Sequence, residues 1–162
     1  MSTFEITPKW GLEGMPLPRI VGAPQHKEHR MRESPIRKSV LIADDDINVV
    51  IALNRILYRD FKIMVAINGR HALEILNHVP GIAAIMTDLK MPVMNGVDFL
   101  TAAKETHPEI PRILFTGTSD RRQIDDALGV GVLGVLYKPL DAAEVGQFLR
   151  LAVSDHWDSP DA

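Results

Sequence analysis

The residues able to do chemistry sit where apolar runs end. Val40-Leu41-Ile42-Ala43 runs into Asp44, Asp45 and Asp46, Ile82–Thr87 into Asp88, and Val132–Tyr137 into Lys138-Pro139. Continuous apolar runs of this length read as buried parallel strands. In an open α/β sheet, ligands bind beyond the carboxyl ends of the strands. If the first and third runs are neighbours, their carboxylates converge, and acids so placed repel unless a cation intervenes. Oxygen donors suit Mg²⁺, which keeps several waters and often meets a substrate phosphate. A strand-end carboxylate can act as a nucleophile toward phosphorus, a transfer that needs in-line positioning and charge neutralisation. Asp44 and Asp45 are consecutive, so strand alternation alone would point them apart. The strand end is expected to relax that constraint and let both reach the rim.

The intervening segments supply the scaffold. From Ser39 onward, strands alternate with helices. Strands are expected at Val40–Ala43, Ile63–Ala66, Ile82–Thr87, Arg112–Phe115 and Val132–Tyr137. The first helix carries Val49, Val50, Leu53, Ile56 and Leu57 at helical spacing. The second follows Asn68-Gly69 and is stopped by Pro80-Gly81. The third covers Val97–Thr106, and the fourth includes Gln123–Leu128. The last opens on Asp141-Ala142-Ala143-Glu144, a capping box with Asp as its first residue, and buries Val145, Phe148, Leu149 and Ala152. Five β/α units imply an α/β fold, a doubly wound five-stranded parallel sheet with helices on both faces. Asn95-Gly96 reads as a turn that lets the chain after Asp88 bend over the site.

With 162 residues, 46% apolar and 24% charged, the chain has the make-up of one soluble globular domain. It has no cysteine, which excludes disulfides and thiolate metal sites. No run reaches the roughly 18 apolar residues of a membrane span, and no signal-peptide core is evident, so a cytoplasmic location is expected. The net charge of −3 is unevenly placed. Residues 1–38 hold seven Lys and Arg against four Glu, a surplus of +3 that leaves −6 for the remainder. Residues 1–37, rich in Pro and Gly, are expected to be a disordered, mildly basic arm, 38–153 the folded domain, and 154–162 a frayed tail. The arm is weakly charged and lacks interleaved aromatics, so direct nucleic-acid binding is not expected. The six histidines are scattered and make poor metal-ligand candidates.

Ala43-Asp44-Asp45-Asp46, Met86-Thr87-Asp88-Leu89-Lys90-Met91-Pro92-Val93-Met94-Asn95-Gly96, Leu114-Phe115-Thr116-Gly117 and Tyr137-Lys138-Pro139 together resemble the receiver domain of two-component response regulators. The resemblance spans residues 38–153 and implies a flavodoxin-like sheet of order 2-1-3-4-5. It implies that Asp88 is the phosphoacceptor and that Asp44, Asp45, Asp88 and the Lys90 main-chain carbonyl bind Mg²⁺. Thr116 and Lys138 would hold the phosphoryl group, and the Lys138–Pro139 peptide would be cis. Asp46 would cap a helix. The family often has an aromatic residue three positions before the lysine, where this chain has Val135. Lys90, two residues after the phosphoacceptor, would tune hydrolysis. Partners would be a histidine kinase or phosphotransfer protein, an unidentified downstream protein, and a second copy through the face of helix four, strand five and helix five.

The expectation is therefore a single-domain switch rather than an enzyme, with no output domain following residue 153. Two rivals stand beside it. One is a phosphorylation-independent interaction module on the same fold. The other is an aspartate-nucleophile phosphohydrolase, with Asp44 and Asp46 as its acid pair.

Overall fold

The computed structural model describes residues 37–119 and 121–154. The expectations for the arm, the tail and His156 lie outside the described residues. Ten elements alternate along the chain: β1 (Lys38–Ala43), α1 (Ile47–Leu57), β2 (Phe61–Ala66), α2 (Gly69–His78), β3 (Ile82–Thr87), α3 (Gly96–Thr106), β4 (Arg112–Thr116), α4 (Arg121–Val130), β5 (Gly134–Tyr137) and α5 (Ala142–Ala152). The strands form one parallel sheet in the order β2-β1-β3-β4-β5. This is the doubly wound sheet that the alternating pattern predicts, with the strand order that the family resemblance implies.

Strand alternation sorts the core into two layers. Leu41, Ala43, Ile85 and Leu114 pack with Leu76, Phe99, Leu100, Ala103 and Ala127 of α2, α3 and α4. Val40, Ile42, Met86, Ile113, Phe115 and Leu136 pack with Leu53, Leu57, Val145 and Leu149 of α1 and α5. The central strands are buried on both faces, which is why they read as unbroken apolar runs.

Several boundaries differ from the sequence reading. β1 and β2 each begin two residues earlier, because Lys38 pairs with Phe61 and Ser39 with Lys62 across the ladder. β5 is shorter than expected and starts at Gly134. Val132 and Leu133 belong instead to the connection from α4, where the Leu133 amide donates to the Arg112 carbonyl at 2.7 Å.

Arg112 opens β4 with 1% of its surface exposed. Its guanidinium donates to the carbonyls of Pro108 at 3.2 Å, Ile110 at 3.1 Å and Gly131 at 3.3 Å. The side chain thereby ties the loop before β4 to the α4–β5 connection, at the end of the sheet opposite the acids. Removing these donors strands the Ile110 carbonyl in a buried setting and the other two in partly buried ones. Arg112→Met is expected to lose about 2–4 kcal/mol in urea unfolding; a loss below about 0.5 kcal/mol would mean the clamp adds nothing.

Candidate functional site

The acids arise at adjacent strand ends. The Asp44 amide donates to the Ala66 carbonyl at 3.1 Å and the Asp88 amide to the Ala43 carbonyl at 2.9 Å, so β2, β1 and β3 end in register. Asp44 is 1% exposed and Asp88 7%, whereas Asp45 is open to solvent. Each of the three offers a carboxylate oxygen, and these atoms lie within 4.8 Å of one another. Asp44 is further fixed by the Asp46 amide, which donates to its Oδ1 at 2.8 Å. Asp46 itself is the N-cap of α1, accepting from the Asn48 amide at 2.9 Å. The capping role expected of it is thus realised, and its carboxylate points to the helix rather than into the acid cluster.

Lys138 reaches in from the end of β5. Its Nζ lies 2.7 Å from Asp44 Oδ2 and 3.6 Å from Asp88 Oδ1, and 5.1 Å from the centroid of the Phe115 ring. The Lys138–Pro139 peptide is cis. Thr116 ends β4 beside it, buried, with the Lys138 amide donating to the Thr116 carbonyl at 2.9 Å. The Thr116 hydroxyl accepts from the Thr118 amide at 3.1 Å. Burial is the main influence that pushes the Asp88 carboxyl above the usual carboxylate range. The Lys138 ammonium pulls it back, and the neighbouring Asp44 carboxylate raises it further.

The other candidates lie around this centre. Lys90 is exposed and lines a groove of about 720 Å³ with Asp45, Asn95, Asp98, Gln123 and Asp126. Val135 is half-buried on the α2–α4 side of the sheet, opposite Leu114. Tyr137, its neighbour by two, is exposed. Asp44, Asp45, Asp88, Lys138 and Thr116 therefore gather at one rim, while Val135 stands one layer below it.

Two features of the site escaped the sequence reading. Asn95 is the N-cap of α3, accepting from the Asp98 amide at 2.9 Å and donating from its side-chain amide to Asp98 Oδ2 at 2.8 Å. The Asn-x-x-Asp spacing is the capping-box signal that could have found it. Gly96 is the first helical residue rather than a turn glycine. A Cβ there would lie 2.1 Å from the Asp88 carbonyl oxygen. The positive φ in this loop falls on Val93, at 71°.

The donor set is all oxygen, with two buried carboxylates and one exposed. That fits a hard divalent ion which keeps part of its water shell, as Mg²⁺ does. No described helix is long and apolar enough to cross a membrane.

Comparison with known proteins agrees with this geometry. The family model "Response regulator receiver domain" matches residues 40–150. The transcriptional regulatory protein CpxR of Escherichia coli K12 is 31% identical over 122 residues, covering 73% of this chain and 50% of that protein. The luminescence regulatory protein LuxO of Vibrio campbellii is 36% identical over 93 residues, covering 53% of this chain and 20% of that protein. The chain thus spans half or less of these relatives. The signal receiver domain of an HD domain-containing protein from Pseudomonas fluorescens Pf-5 superposes with a TM-score of 0.69 at 26% identity, covering 72% of this chain and 94% of that one. The CheX–CheY–BeF3–Mg complex from Borrelia burgdorferi gives a TM-score of 0.65 at 29% identity, covering 72% of this chain and 90% of that chain. With the acids, the lysine and the strand order in place, this chain belongs to the receiver domains of two-component response regulators.

Proposed function

We propose that this chain is a phosphorylation-dependent signalling switch whose phosphoacceptor is Asp88. The observation that carries the proposal is the convergence of Asp44, Asp45 and Asp88 within 4.8 Å, with the Lys138 ammonium between Asp44 and Asp88. The donor would be the phosphohistidine of a histidine kinase or phosphotransfer protein. Asp44, Asp45, Asp88 and the Lys90 main-chain carbonyl would hold Mg²⁺, which when bound offsets charge on the transferring group. A free Asp88 carboxylate oxygen attacks phosphorus in line with the scissile bond. The new P–O bond forms as the P–N bond breaks, and the electron pair stays with the imidazole nitrogen, which takes up a proton. Lys138 then shifts its pairing toward the phosphoryl oxygens, and the Thr116 hydroxyl turns from the Thr118 amide to donate to one of them.

The extra charge biases a two-state surface, for which α4, β5 and α5 are the candidates. Leu128, Tyr137 and Leu151 expose apolar side chains on those elements, suited to a downstream protein or a second copy. The chain's role is to carry a signal rather than to turn over a substrate. A phosphohydrolase using Asp44 and Asp46 would need both acids facing one centre, and Asp46 is engaged as a helix cap. Incubation with acetyl phosphate and Mg²⁺ tests the reading. Intact mass should rise by one phosphoryl group in the wild type and stay unchanged in Asp88→Asn. An unmodified wild type would favour the phosphorylation-independent module.

Two residues after the acceptor, Lys90 would contact the phosphoryl group or obstruct the water that hydrolyses the acyl phosphate. Lys90→Asn is expected to shorten its lifetime by about 3–10-fold, a barrier change near 1 kcal/mol. An unchanged decay rate in Mg²⁺ would remove Lys90 from the account.

A further inference from the structure

Phe115 precedes Thr116 on β4, and its ring is fully buried on the α1–α5 side of the sheet. β4 and β5 pair Phe115 with Leu136, and Lys138 lies two residues beyond Leu136. Alternation therefore returns Lys138 to the face that carries Phe115. The same parity carries Asp44 and Asp88 onto the face of Ile42 and Met86. Acids, lysine and ring thus meet on one side of the rim.

We infer that Phe115 is a positioning residue for Lys138, its ring face seating the ammonium between Asp44 and Asp88. The inference rests on the phosphoacceptor reading above, but the contact itself does not. An ammonium has three donors and no acceptor. Asp44 at 2.7 Å takes one and Asp88 at 3.6 Å attracts another. The ring centroid at 5.1 Å lies inside the roughly 6 Å over which a cation is drawn to an aromatic face. That negative face partly replaces the water the ammonium gives up. A leucine or valine here would fill space and offer no such replacement. The lysine stem also has room beside Gly117, where an added Cβ would meet Lys138 Cδ at an ordinary 3.8 Å. The ring therefore holds the charge within reach of Asp88 before any phosphoryl group arrives, and the cation need not be recruited from solvent during transfer.

Fluorination tests this, because it drains the ring face of negative charge with little change in size. Phe115 is replaced in the full chain by mono-, di- and trifluorinated phenylalanine, and separately by leucine. Two readouts are taken beside thermal stability. The first is the proton shifts of the Lys138 side-chain methylenes in the unphosphorylated protein, which report the ring current. The second is the initial rate of phosphoryl uptake from acetyl phosphate with Mg²⁺. In the wild type the methylene protons should be displaced from solution values. Uptake should fall stepwise with each fluorine and by about 3–10-fold in Phe115→Leu, with the fluorinated proteins melting near the wild type. A flat fluorination series in an active protein overturns the role of Phe115 alone. Methylene shifts at solution values overturn the contact. A wild type that takes up no phosphoryl group sinks the functional reading and this role with it.

Discussion

Gly96→Ala is expected to cost about 3–5 kcal/mol of folding stability, at the upper end for a single substitution. The added methyl would lie 2.1 Å from the Asp88 carbonyl oxygen and 3.0 Å from the Leu89 Cα. Both are backbone atoms, so no rotamer change relieves the clash. The α3 N-terminus must move away from β3, breaking the bond from the Gly96 amide to the Leu89 carbonyl at 2.9 Å. Asp88 and Lys90 leave the same stretch of chain, so Mg²⁺ binding should weaken as well. Chemical denaturation and a Mg²⁺ titration read the two effects. A variant that unfolds like the wild type would show that the loop yields freely.

Asp88→Asn should make the metal-free protein more stable at pH 7 while abolishing phosphoryl uptake. Burial and Asp44 push the Asp88 carboxyl above its ordinary 3.8, so the folded chain holds that proton more tightly than the unfolded chain. The favourable contribution of the protonated group is complete below 3.8 and is lost as pH rises through the raised native value. Ionising Asp88 therefore burdens the folded chain, a burden that the neutral amide removes. Lys138 keeps its closer partner, Asp44 at 2.7 Å. The expected gain in EDTA is on the order of 1 kcal/mol, shrinking as pH falls toward 3.8. Added Mg²⁺ should stabilise the wild type more than the variant, by linkage. A variant less stable than the wild type at pH 7 in EDTA would refute the electrostatic argument.

The fold was legible because burial on both faces leaves a plain mark: strands such as Ile82–Thr87 have little choice but to be apolar. The acids at their ends were legible because strand ends open onto the rim. How Asp44 and Asp45 divide the work was not. Asp44 is buried and Asp45 is open to solvent, a difference in burial that spacing does not reveal, although both carboxylates reach the rim as the strand end was expected to allow. Gly96 was misread because Asn-Gly looks alike in a turn and in a cap followed by a close approach. The two differ in what the backbone of another segment does nearby. Phe115 could not be placed against Lys138 from spacing alone, since the contact depends on the β4–β5 register. The burial of Arg112 leaves no mark in the sequence, because its partners are carbonyls of the loop just before β4 and of the α4–β5 connection.

Reductive trapping examines the main claim at the reacting atom. Borohydride cleaves an acyl phosphate and converts the aspartyl side chain to homoserine. Wild-type protein treated with acetyl phosphate and Mg²⁺, then reduced and digested, should carry homoserine at position 88 and at no other acid, with the signal lost when EDTA replaces Mg²⁺. Homoserine at Asp44 or Asp45, or an equal yield at 88 without the metal, would contradict the account.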